Sequence, residues 1–461
     1  MRLGWQLAAL AAAAMTMLAP AAQADEPFAS TYRPIAGEPV LIRGATVLTG
    51  DGGRIDGGDV LLRDGVIVAV GSGLDADGAT VIDGAGKWVT PGIIDVHSHL
   101  GVYPSPGMNA HSDGNEMTAP VTAQVWAEHG VWPQDPGFDA ARAAGVTTML
   151  ILPGSANLIG GRGVVLRNVP GTSVMDMKFP DAPHAVKMAC GENPKRVYGS
   201  RGQSPQTRMG NIAGYRAAFI EAQRYRQQWD AYESAREQAG ERRRGGETPS
   251  EPNRDLRLET LAGVLRGDIT VQIHCYRADE MALMLELADE FGFRISAFHH
   301  GVEAYKLADR LANEGVCAAL WADWWGFKME AWDGIQENIA LVDRPEGSCA
   351  IVHSDSSEGI QRLNQEAGKA MARGRALGLD ITPEHAIRWL TANAARAIGI
   401  AESTGTLAPG KRADVVLWDR DPFSVYAHAE RVWIDGALLH DRSDRARQPV
   451  SDFLLGTEVA P

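Results

Sequence analysis

Gly92–Leu100 reads GIIDVHSHL, a run of apolar, β-favouring residues that terminates in His97-Ser98-His99. Seven further runs repeat that texture. They are VTTMLILPG (Val146–Gly154), VVLR (Val164–Arg167), AVKMACGE (Ala185–Glu192), ITVQIHCY (Ile269–Tyr276), FRISAFHHG (Phe293–Gly301), VCAALWAD (Val316–Asp323) and SCAIVHSD (Ser348–Asp355). Between many of them lie segments such as ADEMALMLELADEFG and GVEAYKLADRLANEG, with helical periodicity and a closing glycine. Strand–helix alternation implies parallel strands. Eight such runs predict an α/β chain whose residues 91–400 form a closed (β/α)8 TIM-like barrel, with its site at the C-terminal strand ends.

The flanks differ. Residues 39–90 hold short β-runs broken by Gly and Asp (VLIRGATVL, DVLLRDGVIVAVG), with Asp64-Gly65 as a hairpin turn. Residues 401–445 carry the same texture in ADVVLWD and ERVWIDGALLHD, with Asp435-Gly436 as a second turn. One small β-sandwich built from both chain ends is therefore expected. A helical insertion at about 215–250, rich in Ala, Glu, Gln and Arg, interrupts the barrel. Its Arg242-Arg243-Arg244 cluster reads as a solvated helix end.

The 461 residues are 45% hydrophobic and 22% charged, which excludes wholesale disorder and collagen-like repetition. Fifty-eight acidic against 44 basic residues give a net charge of −14. That balance argues against nucleic acid or an anionic membrane surface as a partner and leaves a small-molecule substrate and a homo-oligomer. Met1–Ala24 has an early Arg2, an apolar stretch from Leu7 to Leu18 and Ala22-Gln23-Ala24 before Asp25, the pattern of a secretory signal peptide. An exported, periplasmic or secreted protein without stable membrane insertion follows. Cys190, Cys275, Cys317 and Cys349 are far apart and form no paired framework, so they are read as buried free thiols, with room for one disulfide.

Several of the twelve histidines fall at predicted strand ends. His97 and His99, two apart in a strand, face the same way. His274 ends the fifth run, His299-His300 the sixth, and His353-Ser354-Asp355 the eighth. A closed barrel carries these distant ends to one mouth, where imidazoles and a carboxylate suit zinc or a similar divalent ion. His97, His99, His274, His300 and Asp355 are the candidate ligands. His300 is preferred to His299 because it directly precedes Gly301, and His353 is read as a supporting group.

With these residues in hand, the sequence resembles the amidohydrolase superfamily, in its imidazolonepropionase-like branch. VTPGIIDVHSHL, AAGVTTMLILPG, HCYRADE, HHGVEAYKLADRLA, HSDSSE and TANAARAIGIAESTGTLAPGKRADVVLWDRDP carry the resemblance, over roughly Pro39–Asp441. It implies a barrel flanked by a β-sandwich, one or two divalent ions (zinc first among them), and hydrolysis of a carbon–nitrogen bond. It also implies a ligand on strand four, a carboxylated lysine in many relatives and a glutamate in others. The chain offers Lys187 and Glu192. Depth along the run favours Glu192, because five residues of extended chain separate the two by about 16 Å.

The chemistry expected is attack of an activated water on a carbonyl or amidine-type carbon. Asp355 would take the proton and return it to the leaving nitrogen. Tyr276, Arg277 and Trp325 are candidate substrate contacts. The tryptophan-rich WADWWGFKMEAW after run seven either lines a pocket or packs its own loop. A small, possibly cyclic, amide is the first substrate class. A prolidase-like dipeptidase and a non-catalytic periplasmic metal- or ligand-binding protein are the alternatives.

Overall fold

Five short strands open the chain: β1 (Val40–Leu48), β2 (Arg54–Arg63), β3 (Val66–Gly71), β4 (Thr80–Asp83) and β5 (Trp88–Pro91). Asp64 and Gly65 both have positive φ, as does the later pair Asp435 and Gly436, which is the backbone that tight hairpins demand. The computed structural model describes residues 27–241, 250–324 and 326–447. The leader read at Met1–Ala24, the Arg242–Arg244 cluster and Trp325 lie outside them.

All eight apolar runs become strands. They are β6 (Ile93–Ser98), β7 (Val146–Ile151), β8 (Ile159–Arg167), β9 (Ala185–Ala189), β10 (Thr270–Cys275), β11 (Ala297–His300), β12 (Cys317–Leu320) and β13 (Ala350–Val352). They form one eight-stranded sheet in sequence order. The ends meet where Asp355 N donates to His97 O at 3.0 Å and Ser354 N donates to Asp95 Oδ1 at 3.2 Å. Inside lie Ile94, Val96, Leu150, Ala297, Ala319 and Ile351, and Ala394, Ala397 and Ile398 pack against them. The sequence-based expectation of parallel strands throughout is corrected at β8, which runs antiparallel to both β7 and β9. Only Leu152–Leu158 joins β7 to β8, too short for the crossover that a parallel neighbour needs.

The last strands, β14 (Val415–Trp418), β15 (Ala429–Ile434) and β16 (Ala437–Asp441), join the first sheet. β14 pairs antiparallel with β5, Val89 opposite Leu417 and Trp88 opposite Trp418, so both ends of the chain share one sheet. Ile42, Val47, Val60, Val89, Val415 and Trp433 fill its core. The molecule is thus an α/β barrel with a separate sheet made by both chain ends. A 34-residue helix, Arg208–Glu241, runs through the predicted insertion. Among the described residues no helix is long and apolar enough to cross a membrane.

The reading of the cysteines as free thiols is overturned. Cys190 is bonded to Cys275 and Cys317 to Cys349, with Cα separations of 5.2 and 4.5 Å. Strand register is the reason. Ala189 pairs with His274, which sets Cys190 beside Cys275, and Ala318 pairs with Ala350, which sets Cys317 beside Cys349.

Candidate active site at the barrel mouth

Ile94 and Val96 point into the barrel core, so a strict period of two would send His97 outward. Against β7, however, β6 advances from Asp95 to Ser98 while its partner advances only from Met149 to Ile151. The extra residue is a β-bulge, and it turns His97 inward. Asp95 holds the bulge. Its Oδ1 accepts from His97 N at 3.1 Å, and its Oδ2 accepts from the Ser354 hydroxyl across the seam of the barrel.

Ring and carboxylate atoms of His97, His300 and Asp355 lie within 4.8 Å of one another. Asp355 Oδ1 is 3.4 Å from His97 Nε2 and 3.1 Å from His99 Nε2, and Asp355 Oδ2 is 3.9 Å from His300 Nε2. His274 joins them with its ring 4.6 Å from that of His300. His300 and Asp355 both adopt positive φ, 73° and 50°, a strained backbone for non-glycine residues that clusters at functional sites. Burial pushes His97, His274 and His300 well below the ordinary imidazole value, so these rings are neutral and have lone pairs to offer. Burial also raises Asp355, but the hydrogen bond and charge of His99, with Lys187 and His353, outweigh it and keep the carboxylate ionised.

Glu192, expected from depth as the strand-four ligand, lies apart from the cluster. β9 stops at Ala189, and Gly191, at φ 79°, turns the chain into the helix Glu192–Gly199. Glu192 is therefore carried to the rim, one-third exposed, with its carboxylate 3.5 Å from Lys328 Nζ. Lys187 is fully buried, and its long side chain takes the amine up to the cluster. Its Nζ donates to Pro153 O at 3.1 Å and lies 3.3 Å from His97 Nε2. Among the described residues it has no ion-pair partner. Burial pushes it down to about 8, against a smaller opposing pull from Asp355.

The residues fit a divalent cation. His99 Nδ1 faces Leu152 O at 2.8 Å, and a carbonyl can only accept, so the proton sits on Nδ1. Nε2 then faces the ionised Asp355 carboxylate at 3.1 Å, a position that calls for a positive charge, either a second proton on the ring or a bound cation. Two electron-rich atoms at that distance repel unless a positive charge lies between them. Nδ1 of His274 and Nδ1 of His353 are buried without a hydrogen-bond partner. Neutral imidazoles with a carboxylate form a donor set suited to zinc and other borderline ions.

The substrate side is mixed. The Tyr276 ring stacks on His300 at 5.4 Å, with Lys328 Nζ 4.0 Å above it. Arg277 points away, its guanidinium paired with Asp279 at 2.8 Å. Trp321 is buried against His300 at 4.3 Å and donates Nε1–H to Ser354 O at 3.1 Å. Trp324 stacks on Trp321 and is partly exposed, so this loop both packs and lines the mouth. Asn193, 3.4 Å from His274 Nε2 and 3.3 Å from Lys328 Nζ, was not singled out from the sequence. Nor was Asp95, whose signal was its place two residues before His97.

The sequence model of the amidohydrolase family matches residues 300–440. A crystal structure of an amidohydrolase from Thermotoga maritima MSB8 is 34% identical, covers 87% of this chain and 100% of its own, and superposes with a TM-score of 0.78. Amidohydrolase tasK of Hapsidospora irregularis is 34% identical over 394 residues, or 82% of this chain. The present chain spans only 39% of that longer protein. Imidazolonepropionase of Mesorhizobium japonicum is 24% identical over 73% of this chain and 79% of its own.

Proposed function

This chain belongs to the amidohydrolase superfamily, in its imidazolonepropionase-like branch, and from that premise we propose a metal-dependent hydrolase of a carbon–nitrogen bond in a small, possibly cyclic, amide. Its membership makes it a hydrolase of amidohydrolase type. The observation that carries the rest is the gathering of His97, His300 and Asp355 within 4.8 Å, beside His99, whose Nε2 faces the same carboxylate.

His97, His99, His274, His300 and Asp355 would hold one or two divalent ions, zinc being the first choice for this donor set. Lys187, rather than Glu192, supplies the strand-four group. A buried amine with a value near 8 is substantially neutral in mild alkali. It can add to carbon dioxide, forming an N–C bond and releasing one proton, to give a carbamate anion. When bound, a divalent cation supplies Lewis acidity, which lowers the pKa of water from 15.7 to about 7. Asp355, ionised and a quarter exposed, takes a proton from the attacking water and hands it to the leaving nitrogen. Tyr276, whose ring stacks on His300 under Lys328, would donate its hydroxyl to the substrate oxygen, and Trp321 would wall the pocket.

We also propose that the protein is exported. Two disulfides between adjacent strands support an oxidising compartment, where such bonds persist. Amino-terminal sequencing of the mature protein tests this, with Asp25 as the expected first residue.

The deciding experiment is metal analysis of purified protein, followed by chelation and a panel of cyclic amides and dipeptides. Hydrolysis should disappear on chelation and return with added zinc, with cyclic amides preferred. Turnover that survives complete removal of metal would refute the metal dependence.

A further inference from the structure

Gln272 lies in β10, in register with Lys187 of β9 and Ala297 of β11, and is fully buried. Only one orientation of its amide works. Nε2 is 3.0 Å from Ala397 O. A carbonyl can only accept, so the NH2 group faces it and Oε1 faces the opposite way. Ala397 is the last residue of the helix Ala392–Ala397, at the end where carbonyls lack partners within the helix.

Oε1 of Gln272 is 2.8 Å from His299 Nε2. An amide oxygen can only accept, so His299 carries its proton on Nε2 and a lone pair on Nδ1. That lone pair is 2.9 Å from Nδ1 of His97. His97 must donate there, which leaves its Nε2 bare. Nε2 is the atom that faces Lys187 Nζ at 3.3 Å and Asp355 Oδ1 at 3.4 Å. Reversing any one bond would place two donors or two acceptors face to face in a water-free interior, which costs about 1–3 kcal/mol.

We infer that Gln272 and His299 are positioning residues that hold His97 in its Nδ1–H tautomer, so that Nε2 is the atom offered to a cation. Neither touches the reacting atoms. His299, whose ring nitrogen clusters with those of His97 and His353 within 4.8 Å, is excluded as a ligand because both its nitrogens are already committed. The inference deepens the metal reading of the preceding subsection and rests on it. It also explains why a barrel strand carries a buried polar Gln where Val or Ile would pack: a metal-ligating imidazole is oriented by what its other nitrogen bonds.

The test is zinc affinity by chelator competition, with the unfolding temperature of metal-free protein as the control for folding. Gln272→Met removes the acceptor while keeping the side-chain volume. It should leave the metal-free protein folded and weaken zinc about 10–100-fold, the usual effect of losing such a support. Gln272→Glu keeps an oxygen facing His299 and should recover most of that loss. In protein labelled with 15N in its histidines, the Nδ1–H signal of His97 should be lost in Gln272→Met. Should Gln272→Met not fold, Gln272→Asn, which withdraws the same oxygen by one methylene, carries the test. Zinc affinity equal to the parent's in a folded acceptor-free variant overturns the inference. A parent protein that binds no zinc would instead sink the metal reading.

Discussion

Asp355 sits three residues past the end of β13 in a left-handed conformation, 3.4 Å from His97 and 3.1 Å from His99. Asp355→Asn keeps the shape and removes the base. It should retain metal and lose turnover by about a hundred- to ten-thousand-fold, measured as kcat on protein of known metal content; full turnover with metal retained would remove Asp355 as the proton carrier. Lys187 makes a different prediction. Unfolded it titrates at 10.5 and folded near 8. Between those values the unfolded chain binds more protons, so native stability rises as pH climbs from 8 to 10.5, while below 8 the penalty of burying the ammonium is fully present. In urea unfolding of metal-free protein, the parent should gain up to about 3 kcal/mol on Lys187→Met across that window. Parallel stability curves for the two proteins would refute it. The histidines and Asp355 were legible in the sequence because each ends an apolar run. Lys187 is less legible, because a lysine stem carries its amine well beyond its own Cα and because the strand ends at Ala189 rather than reaching Glu192.

At the scale of elements, every apolar run was recognisable as a strand, since burial on both faces leaves the same signature whichever way a strand points. Direction is written in connection length instead, and the helix-free link Leu152–Leu158 into β8 was the available clue. The disulfides had no such clue. Cysteines separated by 85 and 32 residues become neighbours only once the register of parallel strands is known. The Cys190–Cys275 bond ties the turn before Glu192 to the residue after His274. Replacing both cysteines by alanine should cost about 2–4 kcal/mol in denaturant unfolding and loosen the His274 end of the site. An unchanged midpoint under oxidising conditions would show that the bond contributes nothing to the native fold.

The whole molecule is held together at a buried charge cluster. Because β8 runs against its neighbours, its last residue, Arg167, emerges at the barrel floor rather than at the mouth. There the fully buried guanidinium bonds Asp414 at 2.8 Å and lies 3.1 Å from Asp435, with the Tyr32 hydroxyl on Asp435 as well. Arg167→Met would leave Asp414 buried without its cation, while Asp435 keeps Arg412 at 3.0 Å. It should cost about 3–5 kcal/mol in global unfolding and separate the sandwich transition from that of the barrel in calorimetry. A variant that unfolds at the parent's midpoint in one step would show that the junction is held by its apolar contacts instead.

The pairing of β5 with β14 has a consequence for biosynthesis. β1–β5 leave the ribosome before the barrel strands, yet the strand that completes their sheet, Val415–Trp418, is made only after them. During all the intervening translation the rim of Trp88–Pro91 has unsatisfied amides and carbonyls, an invitation to pair with another nascent chain. A chain released short of Val415 should therefore precipitate more readily than one that contains it.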